Sequence, residues 1–210
     1  MYGIINFEMF LFAGILLNLI PGADTMYIVG RSISQGRKAG VYSVFGIISG
    51  SLIHTFLVAF GLSLILTKSV FVFNFIKILG VIYLVYLGIR MLLDKTNASF
   101  NATELNKQNI RKIYIQGLLT SLTNPKVSLF FIAFLPQFIG TQASGPIPFI
   151  ILGLTFSFTG LLWCLFIAHF SAYVIRKIKN NQKVSFYLTK ITGVVFIGLG
   201  LKLLRTKAPN

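Results

Sequence analysis

Two short stretches hold the residues able to do chemistry in an otherwise apolar chain. The first, NLIPGADT (Asn18 to Thr25), puts the helix breakers Pro21 and Gly22 and the carboxylate of Asp24 inside a run long enough to cross a membrane. The second puts Asn124, Pro125 and Lys126 inside another such run. An ionisable side chain deep in a span costs at least about 2.5 kcal/mol, so Asp24 is read as functional. Pro21 removes a backbone donor and Gly22 adds freedom at the same point, which predicts a broken helix with Asp24 near the start of its second half. Asn124 as N-cap with Pro125 at the first helical position predicts a second half-helix start. Each such start exposes unpaired N–H groups and about half a positive charge. Two of them converging, through the backbone at Gly22 and Asn124, would hold an anion such as a carboxylate. Asp24 would then accept an ammonium or carry a coupling proton. Lys126 would hold a carboxylate or neutralise Asp24, and a zwitterionic amino acid fits the set. The plainer alternative is a pair of kinked helices joined by a structural Asp24–Lys126 ion pair.

A further pattern follows in the next apolar run. Gly46, Gly50, His54 and Gly61 are spaced by four, four and seven residues and so share one helix face. Gly46 to Gly50 is a GxxxG, a seam that lets two backbones approach closely within one chain or across a homodimer. His54 lines a pathway and relays protons, or it is a satisfied core histidine. His169 is expected at an interface. Lys77 should snorkel toward headgroups, with Asn74 beside it. Phe71, Phe73, Phe75, Tyr83 and Tyr86 read as lipid-facing or packing groups. The sequence has no paired carboxylates within a span, no Cys/His metal spacing and no phosphate loop. Catalysis, a cofactor and a bound metal are therefore not expected. Cys164, the only cysteine, has no disulfide partner and reads as a packing thiol.

The elements that must position these residues follow from composition. Of 210 residues, 55% are hydrophobic and 11% charged, and the mean hydropathy is +0.82. A soluble domain carries about 25% charged residues. About 20 apolar residues suffice for a span, and six runs qualify, over approximately 7–30, 41–67, 70–92, 114–138, 147–174 and 187–204. The expected fold is an all-α polytopic membrane protein with six transmembrane helices, helices one and four being broken. The N-terminal MYGIINFEMFLF lacks a basic n-region and a small-residue cleavage site, so the first helix is expected to stay. The polar stretch 94–112 divides a single transmembrane domain, 1–210, into a first half of 1–93 and a second of 113–210.

The charge of +15 falls in short segments between spans and forms no basic face for nucleic acid. Thirteen Lys and Arg, beginning with Arg31, Arg37 and Lys38, lie in the first, third and fifth connections, against four on the other side. The positive-inside rule then puts both termini outside. GILLNLIPGADTMYIVGRSI and GLLTSLTNPKVSLFFIAFLP echo each other at the start of the two halves, which suggests two inverted three-helix repeats. By the helical rise, Pro21 lies about 21 Å and Pro125 about 17 Å from the end at which its span begins, so both breaks fall near mid-membrane.

PGADT followed by YIVGRSISQGRKAGVYSVFGIISG, the later GLLTSLTNPKVSLFFIAFLPQF and the run IKILGVIYLVYLGIRML resemble the LysE/RhtB family of bacterial amino-acid exporters. The resemblance covers essentially the whole chain. It implies export of amino acids or related small metabolites across the bacterial inner membrane, driven by protons in antiport. The family's first motif usually reads Pro-Gly-Pro followed by Asn or Asp. Ala23 replaces its second proline here, which predicts a gentler break. A passive channel and a non-transporting membrane scaffold stand as the alternatives.

Overall fold

The computed structural model describes residues 3–62, 108–140 and 145–180, together with Ala143 and individual positions between 75 and 93 and between 190 and 201. Most of the third and sixth expected spans, with Phe71, Phe73, Asn74, Lys77 and Tyr83, lies outside the described residues. Phe75 and Tyr86 are each 56% exposed, in line with lipid-facing positions.

The protein is an all-α polytopic membrane protein. The first span is broken: α1 (Phe7–Leu19) and α2 (Ala23–Gln35) meet at a bend of 47°. Ile20, the residue before proline, is extended (φ −71°, ψ 122°), because Pro21 crowds a helical conformation there. The second span is α3 (Arg37–Leu57), which continues through a π turn at Val58–Leu62. The fourth expected span is broken in the same way. In it α4 (Ile110–Leu122) and α5 (Pro125–Leu129) are followed by π and 3-10 turns to Phe138, with a bend of 48°. Next among the described helices comes α6 (Ile147–Asn180), with non-helical backbone at Phe170.

The two bends, each with a single proline at the break, are equal within a degree. Pro21 forces the preceding residue extended and removes a backbone donor. Gly22 sits at φ −145°, ψ −167°, a conformation open to any residue, so Pro21 rather than glycine freedom makes the break.

The broken spans run antiparallel. Ile5 donates to the Phe138 carbonyl (2.9 Å) and Gly140 to that of Gly3 (2.7 Å), which joins the start of α1 to the end of the fourth span. At the other end, Gln35 Nε2 donates to the Gln108 carbonyl (2.8 Å) and joins the end of α2 to the start of α4.

Small residues set the helix spacing. A Cβ on Gly46 would lie 2.2 Å from the Tyr114 carbonyl oxygen, and one on Gly50 would lie 2.7 Å from Ser121 Cβ. The GxxxG glycines therefore pack α3 against α4 within one chain. Gly61, expected on the same seam, has nothing within 4 Å. Two apolar layers result. One is aromatic, with Phe10, Phe130, Phe131, Phe134, Phe138 and Phe156. The other holds Ile28, Val29, Val44, Ile47 and Ile167. Phe12, Phe45, Phe60, Phe158 and Leu162 point outward, as a lipid-facing surface requires.

One expectation fails at the end of the first span. The loop thought to hold Arg31, Arg37 and Lys38 shrinks to Gly36, at φ +84° between α2 and α3. Arg31 is 3% exposed rather than solvated. It donates to Gln35 Oε1 and Gln116 Oε1, both at 2.9 Å, and its guanidinium lies over the Tyr27 ring. A lone arginine at the end of an apolar run looks like a loop charge, and its acceptor across on α4, Gln116, is known only from the tertiary structure.

Candidate functional site

The two breaks meet. Where α1 ends, the Ile20 carbonyl accepts a 2.9 Å hydrogen bond from Lys126 Nζ of α5. The placement is electrostatically apt, since a cation favours the negative end of a helix. Asp24 lies in the first turn of α2, at the positive end of the other half. Asn124 caps α5 through its side-chain oxygen, which accepts from the Lys126 N–H at 3.1 Å. Gly22 gives α2 no such cap. Lys126 runs over Gly22, where an added Cβ would come 3.6 Å from Nζ.

A cavity of about 40 Å³, room for a few water molecules, opens at this junction. Gly22, Asp24, Asn124 and Lys126 line it, as the sequence suggested. Pro21, Pro125 and His54 do not. The prolines shape the backbone from outside the cavity, and Pro125 is exposed. His54 stacks on Phe131 (centroids 5.6 Å apart), and its Nε2 lies 3.4 Å from the Ser121 carbonyl oxygen. It packs behind the site. No Asp24–Lys126 ion pair is found among the described residues; the ammonium gives one of its three donors to Ile20. Asp24 Oδ1 is enclosed and has no hydrogen-bond partner.

The sequence missed several lining residues: Asn18, Thr25, Ser51, Ser121, Ser157 and Cys164. Asn18 donates to Thr159 Oγ1 at 3.2 Å. Ser51 and Ser157, 106 residues apart, join α3 to α6 through a 2.8 Å hydroxyl contact. The available signal was polarity within apolar runs, but serine and threonine occur at many span positions and most do not face a cavity. Cys164 is buried among Ile28, Val29 and Ile47, in keeping with a packing thiol, and it also reaches the cavity. No cluster of His, Cys, Asp and Glu suited to a metal ion occurs among the described residues.

Antiparallel broken spans around a small polar cavity are an architecture suited to a membrane translocator. The chain belongs to the LysE type translocator family, whose profile matches residues 15–207. It is 33% identical over 197 residues to the uncharacterized membrane protein YrhP of Bacillus subtilis, covering 89% of this chain and 92% of that protein. It is 29% identical over 203 residues to the leucine efflux proteins of Klebsiella pneumoniae and Salmonella typhimurium, covering 96% of both chains in each case. No solved structure matches it.

Proposed function

We propose that this protein exports an amino acid from the cytoplasm across the bacterial inner membrane, with both termini outside and with inward proton movement driving export. One observation carries the reading: a buried carboxylate oxygen of Asp24 without a partner, in a cavity that also holds the Lys126 ammonium. Leaving a buried charged acceptor unmatched is costly, and a cargo ammonium or a coupling proton removes that cost in turn. The two ligands then compete for one oxygen, which is the minimal basis for exchange. The leucine efflux relatives support an apolar amino acid, and Ile47, Ile48, Val127 and Phe156 supply apolar wall for its side chain.

The test is efflux from bacterial cells preloaded with labelled amino acids, comparing wild type with Asp24→Asn at matched expression. Wild type should expel one or a few amino acids against their gradient, and Asp24→Asn should not. A protonophore should abolish uphill efflux, whereas a passive channel would be indifferent to it. Export undiminished in Asp24→Asn would remove Asp24 from the mechanism. Export of none of the panel would remove the amino-acid reading.

A further inference from the structure

Several described hydroxyls are taken up by the backbone of their own helix. Ser43, Thr55, Thr120, Thr123, Ser128 and Thr155 each donate to the carbonyl four residues back, at 2.7–3.1 Å. Ser121 departs from this pattern. It is 1% exposed, its Oγ has no hydrogen-bond partner, and it lines the cavity with Asp24 and Lys126. Ser32 and Ser34 also have unpartnered hydroxyls, but neither lines the cavity.

The position of Ser121 is fixed from behind. Its carbonyl accepts from the Asn124 N–H at 3.1 Å and faces His54 Nε2 at 3.4 Å. The absence of a Cβ on Gly50 leaves room for its side chain, since such an atom would sit 2.7 Å from Ser121 Cβ. A rigidly held, enclosed hydroxyl has one hydrogen to give, and leaving it unmatched costs free energy. No protein acceptor reaches it among the described residues, and the cavity that Ser121 lines is where an acceptor can enter. Lys126 draws an anion to that space, while Asp24 is suited to the cation of the same molecule.

We infer that Ser121 is a cargo-binding residue whose hydroxyl donates a hydrogen bond to the carboxylate of the exported amino acid. This rests on the export reading above and names a contact that the reading leaves open. Asp24 and Ser121 together then recognise both charged ends of a zwitterion and discriminate against amines that lack the acid.

The experiment uses the full protein in inside-out membrane vesicles and follows labelled leucine uptake, with isopentylamine, which is leucine without its carboxylate, as competitor. A hydrogen bond to a charged group converts to about a 10- to 100-fold change in affinity. Ser121→Ala should raise the leucine KM by that factor with Vmax unchanged, and it should leave the inhibition constant of isopentylamine within about twofold. Alanine is smaller than serine and removes an unmatched hydroxyl, so the variant should unfold at the same temperature as wild type or higher. An unchanged KM would mean that only water meets the hydroxyl, and the inference would fail while export stood. A parallel rise in both constants, or a lower unfolding temperature with a fall in Vmax alone, would assign Ser121 a packing role and overturn it. Vesicles that take up none of the standard amino acids would overturn the export reading and this inference together.

Discussion

Replacing Gly46 by alanine adds one methyl group where α3 crosses α4. The new Cβ would stand 2.2 Å from the Tyr114 carbonyl oxygen and 2.9 Å from the Leu118 nitrogen, both backbone atoms of a helix. Carbon and oxygen in close contact rest at about 3.3 Å, so the helices must separate by roughly 1 Å. No flexible side chain absorbs that shift. The hydrogen bond from Tyr114 to Ser49 (2.8 Å) and the contact of His54 with the Ser121 carbonyl span the same interface and lengthen with it. Overpacking of this kind costs about 1–3 kcal/mol, against about 1 kcal/mol gained from the better helix propensity of alanine. With a rigid neighbour the cost falls at the upper end, leaving a net loss of about 2 kcal/mol, or about 30-fold in the unfolding equilibrium. The control is Gly61→Ala, whose Cβ meets nothing within 4 Å. Denaturant unfolding of the two variants in detergent, followed by the fluorescence of the single tryptophan, Trp163, measures the difference. Equal midpoints for Gly46→Ala, Gly61→Ala and wild type would refute the close α3–α4 crossing and, with it, the placement of Ser121 at the cavity wall.

Three other outcomes are expected. Gly22→Ala should keep the fold and at least half of wild-type export in the cell assay, because φ at Gly22 is ordinary and the added Cβ meets Lys126 at normal contact distance; complete loss would show that the backbone there needs glycine. Maleimide labelling of Cys164, read by intact mass, should be slow in detergent and slower still with saturating cargo, since the thiol is buried yet lines the cavity; labelling indifferent to every amino acid tested would separate the cavity from the transport path. Gln116→Leu removes an acceptor shared by Arg31 and Tyr27, and loss of a buried hydrogen-bond partner should lower stability by about 1–3 kcal/mol in the same unfolding assay. Stability equal to wild type would show that Arg31 is held by other groups.

What the sequence determined by itself is local and chemical. Apolar length marked the membrane spans, because about 20 residues of helix must satisfy every backbone group without water. The breaks at Pro21 and Pro125 were legible because proline acts on its immediate neighbours, whatever packs around it. Asp24, Gly22, Asn124 and Lys126 stood out as polar groups at those breaks, and all four reach the cavity. Their spacing along the chain, however, says nothing about which atoms meet. Only the tertiary structure turned the Lys126 ammonium to the Ile20 carbonyl and left an oxygen of Asp24 unmatched. It also took Arg31 out of solvent, moved His54 behind the site and brought Ser51, Ser121 and Ser157 to the cavity wall. The physical reason is common to these cases. A side chain's face on its helix becomes a ligand, a seam or a lipid contact only through the helix opposite it. Those partners are set by the antiparallel meeting of segments about 100 residues apart.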